Sequence, residues 1–437
     1  MFLMLSTQPY KGARDFYPED KRLQKFMFAK MRSVVERFGY EEYDAPILEP
    51  IELYLAKTGE EIVNEQTYVF EDRGGRTITL RPEMTPTVSR MVAARRQELP
   101  LPLRWYSIPN LWRYERPQRG RLREHWQLNV DVFGLAGLEA EHEIIQVADS
   151  IMHNFGAKRS MYTIKVNSRK FVDSMLVDYL QLNQVQTSTL IRLIDRMDKI
   201  APEVFSAEVD AIFSPSAREN GLPKQLLRLL RTSDIEDLPL PLRSHASMAE
   251  IEQLLSLLDR DGITNVEFDA SLMRGFDYYT DIVFEVYDTN PDNNRSMFGG
   301  GRYDGLISLF GVESLPIVGF GMGDVTMQNF LESHELLPKL RSETDAYIAL
   351  IGDVYTKAHD AINDLRNMGL KIAVDMTDRK PASKIKSAVK KGIHYVIFIG
   401  EEELTSEQYV LRNLETGIEE KHSPARLVSI IKDRRQK

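Results

Sequence analysis

RYERPQRGRLREHWQLNVD, residues 113–131, decides how this chain is read, because a basic turn runs straight into a strand with one wholly polar face. From His125 to Val132 the residues alternate: His125, Gln127, Asn129 and Asp131 on one side, Trp126, Leu128, Val130 and Val132 on the other. Period-two alternation marks a half-buried strand. Such a strand sends its apolar residues into a core and turns a row of hydrogen-bonding side chains towards something that is not core. Ahead of it, Pro117, Gln118, Arg119 and Gly120 read as the tip of a hairpin, flanked by Arg113, Arg116, Arg121 and Arg123. Guanidinium groups give planar, bidentate recognition of phosphate. A solvated basic hairpin accounts for the arginines but not for the polar row that follows them.

Outward from this stretch, residues 18–38 form an apolar-periodic helix opened by Pro18-Glu19-Asp20 and stopped by Gly39. Strand-like runs fall at 68–71, 77–81, 103–113 and 124–133, with a helix near 139–155. Residues 169–260 change character to long helical stretches and read as a helical insertion. Strand signals return at 282–287 and 316–321, and a helix follows over about 323–334. After the joint LLPKLRSETD, strands alternate with helices of 10–15 residues, which implies a small, largely parallel α/β domain. The expected domains are therefore 1–335 and 343–437.

A chain of 437 residues with 43% hydrophobic content can bury two or three cores. It has no cysteine, which excludes disulfides, thiolate metal sites and cysteine nucleophiles. No metal site is expected from the protein's own residues. The start, MFLMLSTQPYKGARD, has no basic region ahead of its apolar residues, and no apolar run is long enough to cross a bilayer. A cytoplasmic protein without membrane contact is the expectation. The net charge of −9 is unevenly spread: residues 341–437 hold 17 Lys and Arg against 15 Asp and Glu, leaving 39 against 50 for residues 1–340. That balance excludes only indiscriminate binding of nucleic acid, since phosphate contact depends on local patches.

Further strings carry chemistry. TLRPEMT (79–85) sets Glu83 just after a strand and a proline; RGFDYYT (274–280) puts Arg274 and Gly275 ahead of two tyrosines; GGGRYDGL (299–306) offers three glycines that let a backbone approach a ligand or make a tight turn. With GYEEYDAP (39–46), KGARDFYP (11–18) and GFGMGDVTM (319–327), these strings and residues 113–131 resemble the histidyl-tRNA synthetase family of class II aminoacyl-tRNA synthetases from residue 11 to the C-terminus, with 39–46 resembling the class's motif 1, 113–131 its motif 2 and 319–327 its motif 3.

The resemblance implies an α+β fold: an antiparallel-sheet catalytic core interrupted by the helical insertion, then an α/β anticodon-binding domain. It implies an ATP-dependent ligase that activates L-histidine as histidyl-adenylate and transfers it to the 3′ end of tRNA(His), with Mg²⁺ on the phosphates, working as a homodimer built through GYEEYDAP. By resemblance, Glu83 and Thr85 hold the α-amino group, with Gln127 as a neutral partner. Tyr278 and Tyr279 line the imidazole pocket, where Asp131 and Tyr279 grip the two ring nitrogens. Arg113 and Arg274 act on the α-phosphate, Arg121 and His125 on ATP, and Gln118 and Arg123 on the acceptor end of the tRNA. Three positions depart from the family pattern: Asp131 where many members carry Glu, His125 where an aromatic ring usually stacks on adenine, and Thr326 where motif 3 usually places an arginine. Arg121 is then the motif 2 cation expected to carry more of the ATP affinity. The rival is a non-catalytic paralogue that stimulates an ATP phosphoribosyltransferase. Such proteins generally lack the C-terminal domain and have decayed motifs, whereas this chain keeps the domain and most motif residues.

Overall fold

The computed structural model describes residues 5–55, 66–197, 200–273, 278–293 and 295–435. The chain divides into two compact units, residues 1–337 and 338–437. In the first, the strands are β1 (Glu41–Glu42), β2 (Leu48–Pro50), β3 (Tyr68–Glu71), β4 (Thr77–Leu80), β5 (Leu103–Ser107), β6 (Asn110–Trp112), β7 (Glu124–Phe133), β8 (Tyr162–Ser168), β9 (Val266–Phe268), β10 (Ile282–Asp288), β11 (Ser296–Arg302) and β12 (Ile317–Gly323). They build a large sheet in the order β1-β5-β7-β12-β11-β10-β8-β9, with β6 on the outer part of β7, and a small sheet β2-β4-β3. Every pairing from β5 to β8 across the large sheet is antiparallel.

The expected strand over 124–133 is the ten-residue β7 at the centre of this sheet. Leu128, Val130 and Val132 are at most 1% exposed and face the main core. That core is covered by the helices Pro18–Val35 and Glu139–Asn154, whose Met27, Met31, Val34, Ile144 and Ile145 recur at helical spacing. Residues 169–260 are helical as expected, starting at helix Arg169–Asp173 and ending with helix Ala246–Arg260.

Two readings need correction. The run 103–113 is not one strand: it breaks at Ile108-Pro109 into β5 and β6, because proline cannot donate to a sheet ladder. Of the two readings of the three consecutive glycines of GGGRYDGL, the tight turn is the one that does not hold. All three lie in β11, a central strand paired on both sides.

The second unit has the sheet order β14-β13-β15-β16-β17, with β13 (Ala346–Leu350), β14 (Ile372–Asp375), β15 (Tyr395–Ile399), β16 (Tyr409–Asn413) and β17 (Glu419–His422). Only β13, β14 and β15 are parallel. The last two strands return antiparallel, so the sheet is mixed.

One ion pair inside the first unit is fully buried. Arg302, at the end of β11, reaches Glu141 with Nε–Oε1 at 2.6 Å and Nη2–Oε2 at 2.7 Å, the two residues being 5% and 3% exposed. Its Nη groups also donate to the carbonyls of Leu135 and Gly137. Removing one member strands a buried charge, which costs about 3–5 kcal/mol. Arg302→Met is expected to lose about that much, and Arg302→Met/Glu141→Leu to regain part of it. Urea unfolding followed by tryptophan fluorescence measures this directly, since Trp105, Trp112 and Trp126 all lie in the first unit.

Candidate active site

The polar face of β7 forms one wall of a cavity of about 280 Å³ in the first unit. His125, Gln127, Asn129 and Asp131 all line it, the row anticipated from alternation. Across the sheet, Gln127, Asn129 and Asp131 stand opposite Gly323, Gly321 and Gly319 of β12, and Gly321 and Gly319 in turn stand opposite Gly299 and Gly301 of β11. A Cβ on Gly319 would collide with the Asp131 carboxylate, and one on Gly321 with the Gln127 amide. Glycine on alternate positions of both strands therefore lowers the floor of the sheet and leaves room for a ligand beside the polar row.

At one end sit two carboxylates, each tied to a tyrosine. Asp131, only 4% exposed, accepts a short hydrogen bond from the Tyr303 hydroxyl. Burial pushes its carboxyl up to about 7, against the opposing effect of that hydroxyl. Tyr278 donates to Glu83 Oε2 at 3.1 Å, and its ring lies 4.9 Å from Tyr279 and 5.6 Å from Tyr303. Tyr279 lines the same end. Glu83 sits just ahead of helix Thr85–Ala94, so the helix's first residue, Thr85, also reaches the cavity.

At the other end the wall is the hairpin. Arg113 donates from Nε to the Pro82 carbonyl at 2.9 Å, which aims the rest of its guanidinium past the Glu83 segment. Arg121 lines the cavity and makes no side-chain hydrogen bond among the described residues. His125 also lines it. Burial, with the charges of Arg113 and Arg14, pulls its imidazole down to about 3, so the ring is neutral at any working pH and cannot act as a cation. Thr326 faces this end too, its hydroxyl donating to the Met297 carbonyl at 2.9 Å.

Not every expected residue comes to the cavity. Arg123 is 9% exposed and packs into an aromatic cage: its guanidinium lies 4.0 Å from the Tyr114 ring centroid and 5.5 Å from that of Tyr10, and donates to the Tyr10 hydroxyl and the Glu115 carbonyl. It braces the hairpin against the N-terminal segment rather than standing ready for RNA. Gln118 is exposed at the hairpin tip, outside the cavity. Arg274, with Gly275, Phe276 and Asp277, lies outside the described residues. Sequence reasoning missed Tyr303. Continuing the alternation of β11 through Gly299 and Gly301 reaches Tyr303, a signal hidden because the glycines alone fit close approach to a ligand and a tight turn equally well.

Two domain models match the chain: histidyl-tRNA synthetase over residues 12–323 and anticodon binding domain over residues 345–434. The histidine--tRNA ligase of Leptospira biflexa is 42% identical over 413 residues, covering 94% of each chain, and that of Thermoplasma volcanium is 36% identical over 417 residues, covering 95% of this chain and 96% of its own. The crystal structure of histidyl-tRNA synthetase from Nostoc sp. PCC 7120 superposes with a TM-score of 0.80 over 99% of this chain and 100% of its own, at 20% identity, a likeness of fold. A polar row beside a glycine floor, with tyrosine-tethered carboxylates at one end and arginines at the other, is thus carried by a chain that belongs to the histidyl-tRNA synthetase family.

Proposed function

We propose that this protein is a histidine–tRNA ligase that binds histidine at the tyrosine end of the cavity and ATP at the hairpin end. The observation that carries the reading is the single cavity: two buried carboxylates and Arg113 with Arg121 face one space across the glycine floor. Histidine-dependent exchange of pyrophosphate into ATP tests it, and no exchange with the purified full-length chain would end it.

Glu83, Thr85 and Gln127 receive the α-amino group. A charged amine stripped of water needs a charged acceptor, and the Glu83 carboxylate, held by the Tyr278 hydroxyl, faces the cavity. Asp131 and Tyr279 take the imidazole, whose single donor and single acceptor they complement. Tyr303 holds Asp131 in place. The histidine carboxylate oxygen then attacks the α-phosphorus in line, a P–O bond to pyrophosphate breaks, and Arg113 with Arg274 meets the charge that builds on the α-phosphate oxygens. The 3′-hydroxyl of the tRNA attacks the acyl carbon, and AMP leaves. Little covalent chemistry falls to the protein, so positioning and charge dominate.

Mg²⁺ would ride on the triphosphate. Among the described residues no group of three or more His, Asp or Glu could hold a metal, whereas a phosphate-borne Mg²⁺ needs only one or two carboxylates; Glu115, which lines the cavity on the hairpin wall, would be the one to hold it. When bound, the ion would neutralise phosphate charge. A homodimer is supported by the small sheet, where Leu48, two residues after GYEEYDAP, and Val69 and Phe70 of β3 are each more than 40% exposed. Among the described residues no helix is long and apolar enough to cross a membrane, and the cytoplasm is where we place the enzyme.

Two predictions follow from the cavity's electrostatics. The unfolded chain releases the Asp131 proton near pH 4, but the native state keeps it until about 7. Stability therefore falls as pH rises across that window, by about 1.4 kcal/mol per unit at most, and levels off above it. Asp131→Asn removes this titration. Its melting temperature relative to the parent should climb from pH 4 to pH 7 and then stay constant, and a constant difference from pH 4 to 8 would contradict the buried carboxyl.

The second concerns Arg121, whose side chain makes no hydrogen bond among the described residues. Arg121→Ala should raise the KM for ATP more than tenfold, the effect of losing a charge-assisted hydrogen bond worth about 1.4 kcal/mol or more. Histidine binding in the absence of ATP, measured by calorimetry, should be unchanged.

A further inference from the structure

The motif 2 hairpin is held over the cavity by contacts that none of the family strings anticipates. Arg119 and Gly120 make its two-residue tip, closed by reciprocal backbone hydrogen bonds of 2.9 Å between Gln118 and Arg121. Gly120 has φ +81°, and a Cβ there would lie 3.7 Å from both Thr326 Cγ2 and Asn329 Nδ2, so the tip rests on the first turns of helix Asp324–Ser333. From the other side Arg295, the residue before β11, donates from Nη1 to the Arg119 carbonyl at 2.9 Å. The residues that follow it, Ser296, Met297 and Phe298, line the cavity.

Thr326 cannot reach upwards, because its hydroxyl is turned back to the Met297 and Gly323 carbonyls. A side chain as long as arginine at position 326 would occupy the space where the tip now lies. The short residue and the lowered tip are thus two sides of one arrangement. Beside the helix beneath it, the side chain that bonds the tip's backbone among the described residues is the Arg295 guanidinium, from the segment just before β11.

We propose that Arg295 is a positioning residue for the nucleotide: by clamping the Arg119 carbonyl it holds the hairpin tip down and Arg121, one residue beyond the tip, over the cavity, in place of the motif 3 arginine that this chain lacks. The inference rests on the reading that the hairpin end of the cavity takes ATP. Arg295 touches neither the cavity nor the reacting atoms, so its effect passes through the hairpin. A guanidinium bonded to a carbonyl is a charge-assisted hydrogen bond, and an ammonium can replace it where a thioether or methyl cannot.

The test uses the full-length chain with ATP, histidine and labelled pyrophosphate. Arg295→Met should raise the KM for ATP about tenfold, with kcat, the KM for histidine and the melting temperature unchanged. Arg295→Lys, which keeps a donor, should stay within about threefold of the parent. Hydrogen exchange read by mass spectrometry without ligand should speed up over residues 117–122 in Arg295→Met and not in Arg295→Lys. An unchanged ATP KM and unchanged hairpin exchange in Arg295→Met, with the parent active, overturns the proposal, as does an equal loss of histidine affinity or of thermal stability. If the parent itself shows no histidine-dependent exchange, the ATP reading fails and the nucleotide role of Arg295 with it, while faster hydrogen exchange in Arg295→Met would still establish the clamp.

Discussion

The site depends on one steric constraint: the positions of β12 that face the cavity beside β7 must have no side chain. Gly319 and Gly321 stand where any Cβ would strike Asp131 or Gln127, and Gly299 and Gly301 continue the bare surface into β11. Glycine costs strand stability because it loses more backbone freedom on folding and packs nothing. Here that cost is offset on the reverse face, where Val318, Phe320 and Met322 alternate with the glycines of β12 and are buried in the main core. One strand therefore builds the core with one parity and empties the cavity with the other.

Emptying a cavity beside buried carboxylates creates an electrostatic demand that the protein answers only in part. Asp131 and Glu83 each accept a hydrogen bond from a tyrosine hydroxyl, and Asp131 makes no ion pair among the described residues. A hydroxyl orients a carboxylate and relieves some of its desolvation without neutralising it. The raised Asp131 carboxyl reflects that incomplete compensation. By contrast Glu141, buried elsewhere in the same unit, is closed by the bidentate Arg302 and has nothing left to offer a ligand. Under the proposed assignment this difference separates a recognition carboxylate from a structural one: the first waits for the ligand's own donors to complete it.

Much of this was legible in residues 113–131. Period-two alternation placed four polar side chains on one face, and all four line the cavity, because a strand's parity is local and survives any tertiary context. The floor was harder to read. Three successive glycines carry no parity and little strand preference, so only pairing with β10 and β12 makes β11 a strand, and pairing is a long-range property. Tyr303 stayed hidden for the same reason. Arg123 shows the opposite failure: its spacing in a basic hairpin suggested phosphate, but a close approach to Gly12 and the rings of Tyr10 and Tyr114 enclose it. Burial by Tyr10 and Gly12, more than a hundred positions away, leaves no mark on local charge pattern.

The departure in motif 3 acquires a physical meaning at Asp324. It opens helix Asp324–Ser333, where a negative charge is favoured by the helix dipole, and its carboxylate accepts the Trp126 amide at 2.9 Å and the Arg14 guanidinium at 2.7 Å. The backbone register of β12 with β7 ends at Gly323 opposite Gln127, so Asp324 carries the connection one residue further by side chain. Arg14 in turn lies over the rings of Phe16 and Trp126. The N-terminal KGARDFYP string, the motif 2 strand and the motif 3 helix are thereby locked at one point. In this chain the start of that helix braces the sheet instead of sending a cation into the cavity, and under the proposed assignment the positive charge that would meet the nucleotide falls to the hairpin and to whatever holds the hairpin in place.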